Sequence, residues 1–201
     1  MSSVGGDALG ALAEEEPSDG QRDRRERIID ATLALADKGG FDAVQMRAVA
    51  ERADVALGTL YRYFPSKVHL LVAGLHSELE SIQDRLDRRP VHGDSPYERI
   101  LVVLGRLTRA FQRNPNLAEA VTRALMSADT SAAAEVDAAN KLMLSMFTSV
   151  LSEDAPTDQE VAVAGVIADV WLSNLVAWVT RRATAGDVSN RLELTVRLLL
   201  R

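Results

Sequence analysis

Cysteine is absent from the 201-residue chain. That excludes disulfides and thiolate metal sites, and it fits a reducing compartment. Aromatic residues are scarce at 4%. Aromatics favour strands, whereas the abundant Ala and Leu are strong helix formers, so the balance predicts an all-α chain. No apolar run reads as long enough to span a bilayer, and the N-terminus has neither the basic start nor the apolar core of a signal peptide. A cytoplasmic protein without a membrane partner is expected. His69, His76 and His92 are not spaced as metal ligands, so neither a metal nor a cofactor is expected. Gly-x-Ser-x-Gly and Walker motifs are missing too, and the scattered Asp, Glu and His form no acid–base constellation. These absences weigh against an enzyme. A dimeric scaffold that binds no DNA is the other alternative.

What is present is a chain 47% apolar, enough for one or two small cored domains. Its net charge of −6 is unevenly spread. Residues 1–20 carry five acids and no base, and they read as a disordered acidic tail. Residues 21–69 hold nine Lys or Arg against seven Asp or Glu, a net of +2, and residues 70–201 return to −3. A basic segment on an acidic protein suits a nucleic-acid module joined to a non-binding body, although the excess is small.

Helical periodicity predicts a first helix over 21–38, stopped by Gly39-Gly40. Short helices follow near 45–53 and 56–63, joined by Ala53-Asp54-Val55. Phe64-Pro65-Ser66 breaks the pattern, and Ser66 caps a long helix to about 88. Further helices are expected near 95–113, 115–128, 131–151, 157–184 and 186–200. The resulting plan is about nine helices: a tail (1–20), a helix-turn-helix unit (21–65) and an effector-binding and dimerisation body (66–201).

Two short helices with a small-residue turn describe a helix-turn-helix, whose second helix enters the major groove. Gly58 would let that helix approach DNA closely. Thr59 can meet a base edge or thymine methyl, and Tyr61 and Tyr63 can donate to phosphates. Arg47 and Arg62 add positive charge beside them. Lys67 lies in the first turn of the next helix, where the helix dipole also favours a phosphate. Partly buried aromatics are the competing account of the two tyrosines, and Arg22, Arg24, Arg25 and Arg27 read equally as a solvated face or as phosphate contacts.

The run Arg47-Ala48-Val49-Ala50-Glu51-Arg52-Ala53-Asp54-Val55-Ala56-Leu57-Gly58-Thr59-Leu60-Tyr61-Arg62-Tyr63-Phe64-Pro65-Ser66-Lys67 closely resembles the signature of TetR-family repressors. It covers about a quarter of the chain. The resemblance implies a three-helix DNA-binding domain and a C-terminal domain that binds a small effector and dimerises. It therefore implies a homodimer on double-stranded DNA with an inverted-repeat operator. Val44 to Ala50, Gly58 to Leu71, Arg113-Asn114-Pro115 and Asp169-Val170-Trp171-Leu172-Ser173-Asn174-Leu175 are similar to the family's actinobacterial repressors of cholesterol-catabolism genes. That implies control of sterol catabolism and release by a steroid acyl-CoA thioester. Regulation of another lipid pathway is the alternative.

Candidate effector contacts follow from the C-terminal half. Trp171, Asn174, Leu175 and Trp178 share one helix face. Phe111, Met126, Met143, Met146 and Phe147 are large or adaptable apolar groups that could line a pocket, although core filling is the commoner role for any one of them. A buried Asn174 needs a partner, either a ligand group or a helix carbonyl. Arg106, Arg109 and Arg113 share a helix and would offer cations to CoA phosphates; a solvated face is the plainer account. Val163, Val166, Ile167, Val170, Val196, Leu199 and Leu200 suggest a four-helix dimer interface.

Overall fold

The computed structural model describes residues 18–152 and 154–200. Most of the expected acidic tail, residues 1–17, lies outside the described residues. Nine α-helices and one 3-10 turn make up the regular structure of the described residues. In chain order they are α1 (Asp19–Ala43), α2 (Met46–Arg52), α3 (Leu57–Tyr63), α4 (Lys67–Arg88), α5 (Pro96–Arg113), α6 (Pro115–Ser127), the 3-10 turn Thr130–Ala132, α7 (Ala133–Leu151), α8 (Asp158–Val179) and α9 (Ala185–Leu199). The all-α fold read from composition is therefore the observed one.

The helix starts are set by local chemistry. Ser66 and Ser95 accept from the backbone N–H of Val68 and Glu98. Asn114 closes α5 and caps α6 by accepting from Leu117. Thr157 with Glu160 and Thr184 with Asp187 form reciprocal capping boxes at α8 and α9. The N–H and hydroxyl donors of Thr157 and Thr184 hold the Glu160 and Asp187 carboxyls below their ordinary range.

Three features differ from the sequence reading. First, Gly39-Gly40 interrupts the first helix as expected, both residues leaving helical geometry, but a further helical turn not foreseen carries α1 on to Ala43. Next, α8 stops at Val179, because Arg181 adopts a φ of 58° and the N–H groups of Arg182 and Ala183 turn back to the Ala177 carbonyl. Finally, α8 itself is long and apolar enough to cross a bilayer by length and composition, contrary to the expectation that no segment is. Its Ala164, Ile167, Trp171 and Leu175 are buried against the body, whose neighbouring helices are α6, α7 and α9.

One continuous apolar core joins the helix-turn-helix to the body. α4 lies at its centre, with Leu70, Leu71 and Val72 fully buried. The most extensive interhelix packing is between α1 and α6. There Gly40 takes a φ of 65° and a ψ of −156°, a conformation essentially restricted to glycine. A Cβ on Gly40 would lie 2.5 Å from Glu119 Oε2, the oxygen that accepts from the Phe41 N–H at 2.9 Å. The carboxylate cannot move aside without breaking that bond. Gly40→Ala is expected to lower unfolding free energy by about 1–3 kcal/mol from backbone strain, with any loss of the Phe41 bond adding to it. Urea unfolding measures this; an unchanged midpoint and slope would refute the double constraint.

Candidate DNA-binding surface and effector cleft

The helix-turn-helix is held from behind. Val49, Ala50, Leu60 and Phe64 are buried in the apolar cluster shared with α1 and α4. Asp54 takes the left-handed turn conformation at φ 53°, which short polar side chains tolerate. Arg27 on α1 donates to the Ala53 carbonyl at 2.9 Å, and Arg25 stacks on Phe64 at 5.6 Å. Arg22 pairs with Asp19. Arg25 and Arg27 thus have packing roles, a third account beside phosphate contact and solvated face.

With that face buried, the other is presented to solvent. Arg47, Gly58, Tyr61 and Arg62 are exposed, Tyr61 by 48%, and Thr59 and Tyr63 are half-buried beside them. A Cβ at Gly58 would meet nothing within 4 Å. The chain's own packing therefore does not require glycine there. Lys67 is half-buried at the start of α4. Its ammonium lies 3.8 Å from the centre of the Phe41 ring and 3.5 Å from the Phe41 carbonyl. No sequence signal marked Phe41, because cation–ring contact depends on how α1 meets α4.

α4 and α5 enclose an open cleft of about 660 Å³. Arg85, Arg88, Arg89, Arg106, Arg109 and Arg113 line it, with Glu78 the one acid. Burial pushes the Glu78 carboxyl above its ordinary range, and Arg85 pulls the other way. Arg106 donates to the Arg89 carbonyl at 2.9 Å. Arg89, Arg106, Arg109 and Arg113 form no ion pair among the described residues. The three α5 arginines were legible from their spacing. Their α4 counterparts were not, since only the α4–α5 crossing brings them opposite.

The apolar candidates fall into two groups. Phe111 and Trp171 meet edge to face at 5.4 Å, and the Trp171 indole N–H donates to Thr108 Oγ1 at 3.2 Å. Met143, Met146 and Phe147 are buried on α7. Trp178 is half-buried and, with Trp171 and Leu175, borders a void of only about 10 Å³. Met126 is 63% exposed at the end of α6 and stands apart from these groups and from the arginine cleft. Asn174 meets both readings halfway. Its amide donates to the Val170 carbonyl at 2.8 Å, leaving a buried Oδ1 with no partner. Among the described residues no group of three or more His, Asp or Glu is placed to hold a metal.

Residues 28–73 match the model of bacterial regulatory proteins of the tetR family, and residues 93–199 match that of the tetracyclin repressor-like C-terminal domain. The HTH-type transcriptional repressor KstR of Mycolicibacterium smegmatis is 60% identical over 96% of this chain and 95% of that protein. A TetR transcriptional regulator from Rhodococcus sp. RHA1 superposes with a TM-score of 0.84 at 27% identity, over 90% of this chain and 98% of that one. Thermus thermophilus FadR, a TetR-family repressor solved in complex with lauroyl-CoA, gives a TM-score of 0.68 at 25% identity, over 88% of this chain and 93% of that one. Similarity that runs without a break from the helix-turn-helix through the body means that this chain belongs to the TetR family and is a DNA-binding, ligand-responsive transcriptional repressor, not an enzyme.

Proposed function

We propose that the chain represses genes of sterol catabolism as a homodimer on an inverted-repeat operator, and that a steroid acyl-CoA releases it. In this reading residues 21–65 are the helix-turn-helix unit and 66–201 the effector-binding and dimerisation body, whose first turn adds Lys67 to the DNA surface. Arg47, Gly58, Thr59, Tyr61, Arg62, Tyr63 and Lys67 form the DNA surface: Thr59 meets a base edge, Gly58 permits the approach, and the others hold phosphates.

The observation that carries the effector reading is the arginine cleft. Six guanidinium groups around one acid focus positive potential, and guanidinium forks match phosphate oxygens. Coenzyme A supplies phosphates at one end of such a ligand. Its apolar acyl group requires the core to open beside Phe111, Met143, Met146, Phe147, Trp171 and Trp178, where flexible methionines ease repacking. The unpartnered Asn174 oxygen accepts from a ligand hydroxyl or amide N–H there. The FadR complex with lauroyl-CoA supports the thioester class. The steroid itself rests on the resemblance to repressors of cholesterol catabolism, and an effector from another lipid pathway is the second reading.

A dimer surface is offered by α8 and α9. Val166 is 46% exposed, Val163 and Val170 are half-buried, and Leu194 and Leu198 are exposed. Ile167 and Val196, expected on this interface, are fully buried within the single chain; a twofold mate therefore meets Val166 and Leu198 instead.

Three outcomes test this reading. On an inverted-repeat duplex selected by the protein from a random pool, Thr59→Ala is expected to cost about 1–3 kcal/mol while leaving binding to unrelated DNA nearly unchanged. Anisotropy titrations on both duplexes measure the difference, and equal losses would remove Thr59 from base contact. Next, a CoA thioester of a cholesterol-derived acid is expected to weaken operator binding more than lauroyl-CoA or free CoA. Reversing charge at Arg109 and Arg113 should abolish the effect. Binding of the thioester should tighten as pH falls through the raised Glu78 titration, because protonation removes the one negative charge facing the phosphates; Glu78→Gln should flatten that dependence. Calorimetry across pH checks both, and a DNA affinity indifferent to every thioester would defeat the release mechanism. Finally, Val166→Asp should yield monomers in ultracentrifugation, and a dimer that persists in Val166→Asp/Leu198→Asp would exclude this face.

A further inference from the structure

The start of α4 is gripped from two directions by one segment of the body. On one side, Glu119 on α6 accepts from the Phe41 N–H with one oxygen and from Arg123 with the other, at 2.9 and 3.0 Å. Arg123 also binds both oxygens of Asp42, at 3.2 and 3.3 Å. Its guanidinium carbon lies 4.3 Å from the centre of the Phe41 ring, the ring on which the Lys67 ammonium rests. Two cations share one ring without severe repulsion because the Glu119 and Asp42 carboxylates neutralise the arginine.

On the other side, the 3-10 turn that follows α6 reaches His69. The Ser131 carbonyl lies 3.1 Å from His69 Nε2, and a carbonyl only accepts, so Nε2 carries the proton. Nδ1 is hydrogen-bonded at 2.9 Å to Ser66 Oγ, the hydroxyl of the residue that caps α4. Lys67 is thus fixed between Phe41 and a cap tied to Ser131.

The same segment begins at the arginine cleft. Arg113 lines the cleft and ends α5, and Asn114, next in the chain, is the N-cap of α6. Asn116 donates to the Asp37 carbonyl on α1 at 2.8 Å, one turn before Glu119. A shift of Arg113 toward a phosphate therefore moves the first turns of α6, and with them the groups that hold Phe41.

We infer that Phe41 is a positioning residue for Lys67, and that Glu119 and Arg123 hand displacements of α6 through it to the DNA-facing start of α4. The inference rests on the reading of Lys67 as a phosphate contact and of the arginine cleft as the effector site. It assigns the coupling to α6 and the α1 kink, where α4 alone would be the obvious lever.

The test is a double-mutant cycle with the full-length protein on its selected operator duplex. Phe41→Leu should weaken binding about threefold to fivefold, the size of a cation–ring contact. In a Lys67→Met background it should cost nothing further. Phe41→Tyr, which keeps the ring, should behave as wild type. Arg123→Gln, an exposed change that spares the core, should bind the acyl-CoA as wild type does yet lose at least threefold of the effector-induced weakening. Additive losses in the cycle, or a full effector response in both Phe41→Leu and Arg123→Gln, would overturn the inference. A Lys67→Met protein with unchanged affinity and salt dependence would sink the phosphate reading and this inference together. A wild-type protein unresponsive to acyl-CoA would sink the effector reading and the coupling through α6 with it, while the cycle would still decide whether Phe41 positions Lys67.

Discussion

The hydrogen bond from the Phe41 amide to Glu119 is available only because Gly40 bends the chain through a conformation that costs other residues of the order of 1–3 kcal/mol. Much else depends on it. With it, the backbone of one functional unit is fixed by a side chain of the other, and the Phe41 ring is delivered to Lys67. The helix-turn-helix has no separate core; its Leu60 and Phe64 belong to the same apolar cluster as the helices behind it. A unit this small buries too little surface to stand alone firmly. Reliance on the body is also what makes the body able to influence it.

Charge is organised on the same logic. The acidic total conceals two positive regions, one around the second helix of the helix-turn-helix and one in the α4–α5 cleft. Each is positive because its arginines and lysine are drawn together from different helices while most acids remain elsewhere, many of them on exposed helix surfaces. Acids at helix starts serve the helices themselves, as Glu160 and Asp187 do. Glu78 is the exception. It is a half-buried carboxyl among arginines, and burial holds it above its ordinary range.

α8 shows how one pattern supports several readings. Its composition suits a membrane span, its Ile167 and Trp171 serve the core, and Val166 remains at the surface. Period alone separates faces but does not say what covers them. The same limit explains the misplacement of Val196, which lies on a face that α9 turns inward.

The sequence by itself determined the helical class, the order of elements, most caps and the helix-turn-helix. Each depends on neighbours within a few residues: Ser66 to Val68, Asn114 to Leu117, and the run from Arg47 to Lys67. It also marked Arg109 and Arg113, because one helix face is readable from spacing. Only the tertiary structure decided that Arg85 and Arg88 stand opposite them, that Lys67 rests on Phe41, and that Glu119 reaches 78 positions back along the chain. Such contacts depend on where helices cross, and crossing is set by the summed packing of many side chains, a quantity no local pattern contains.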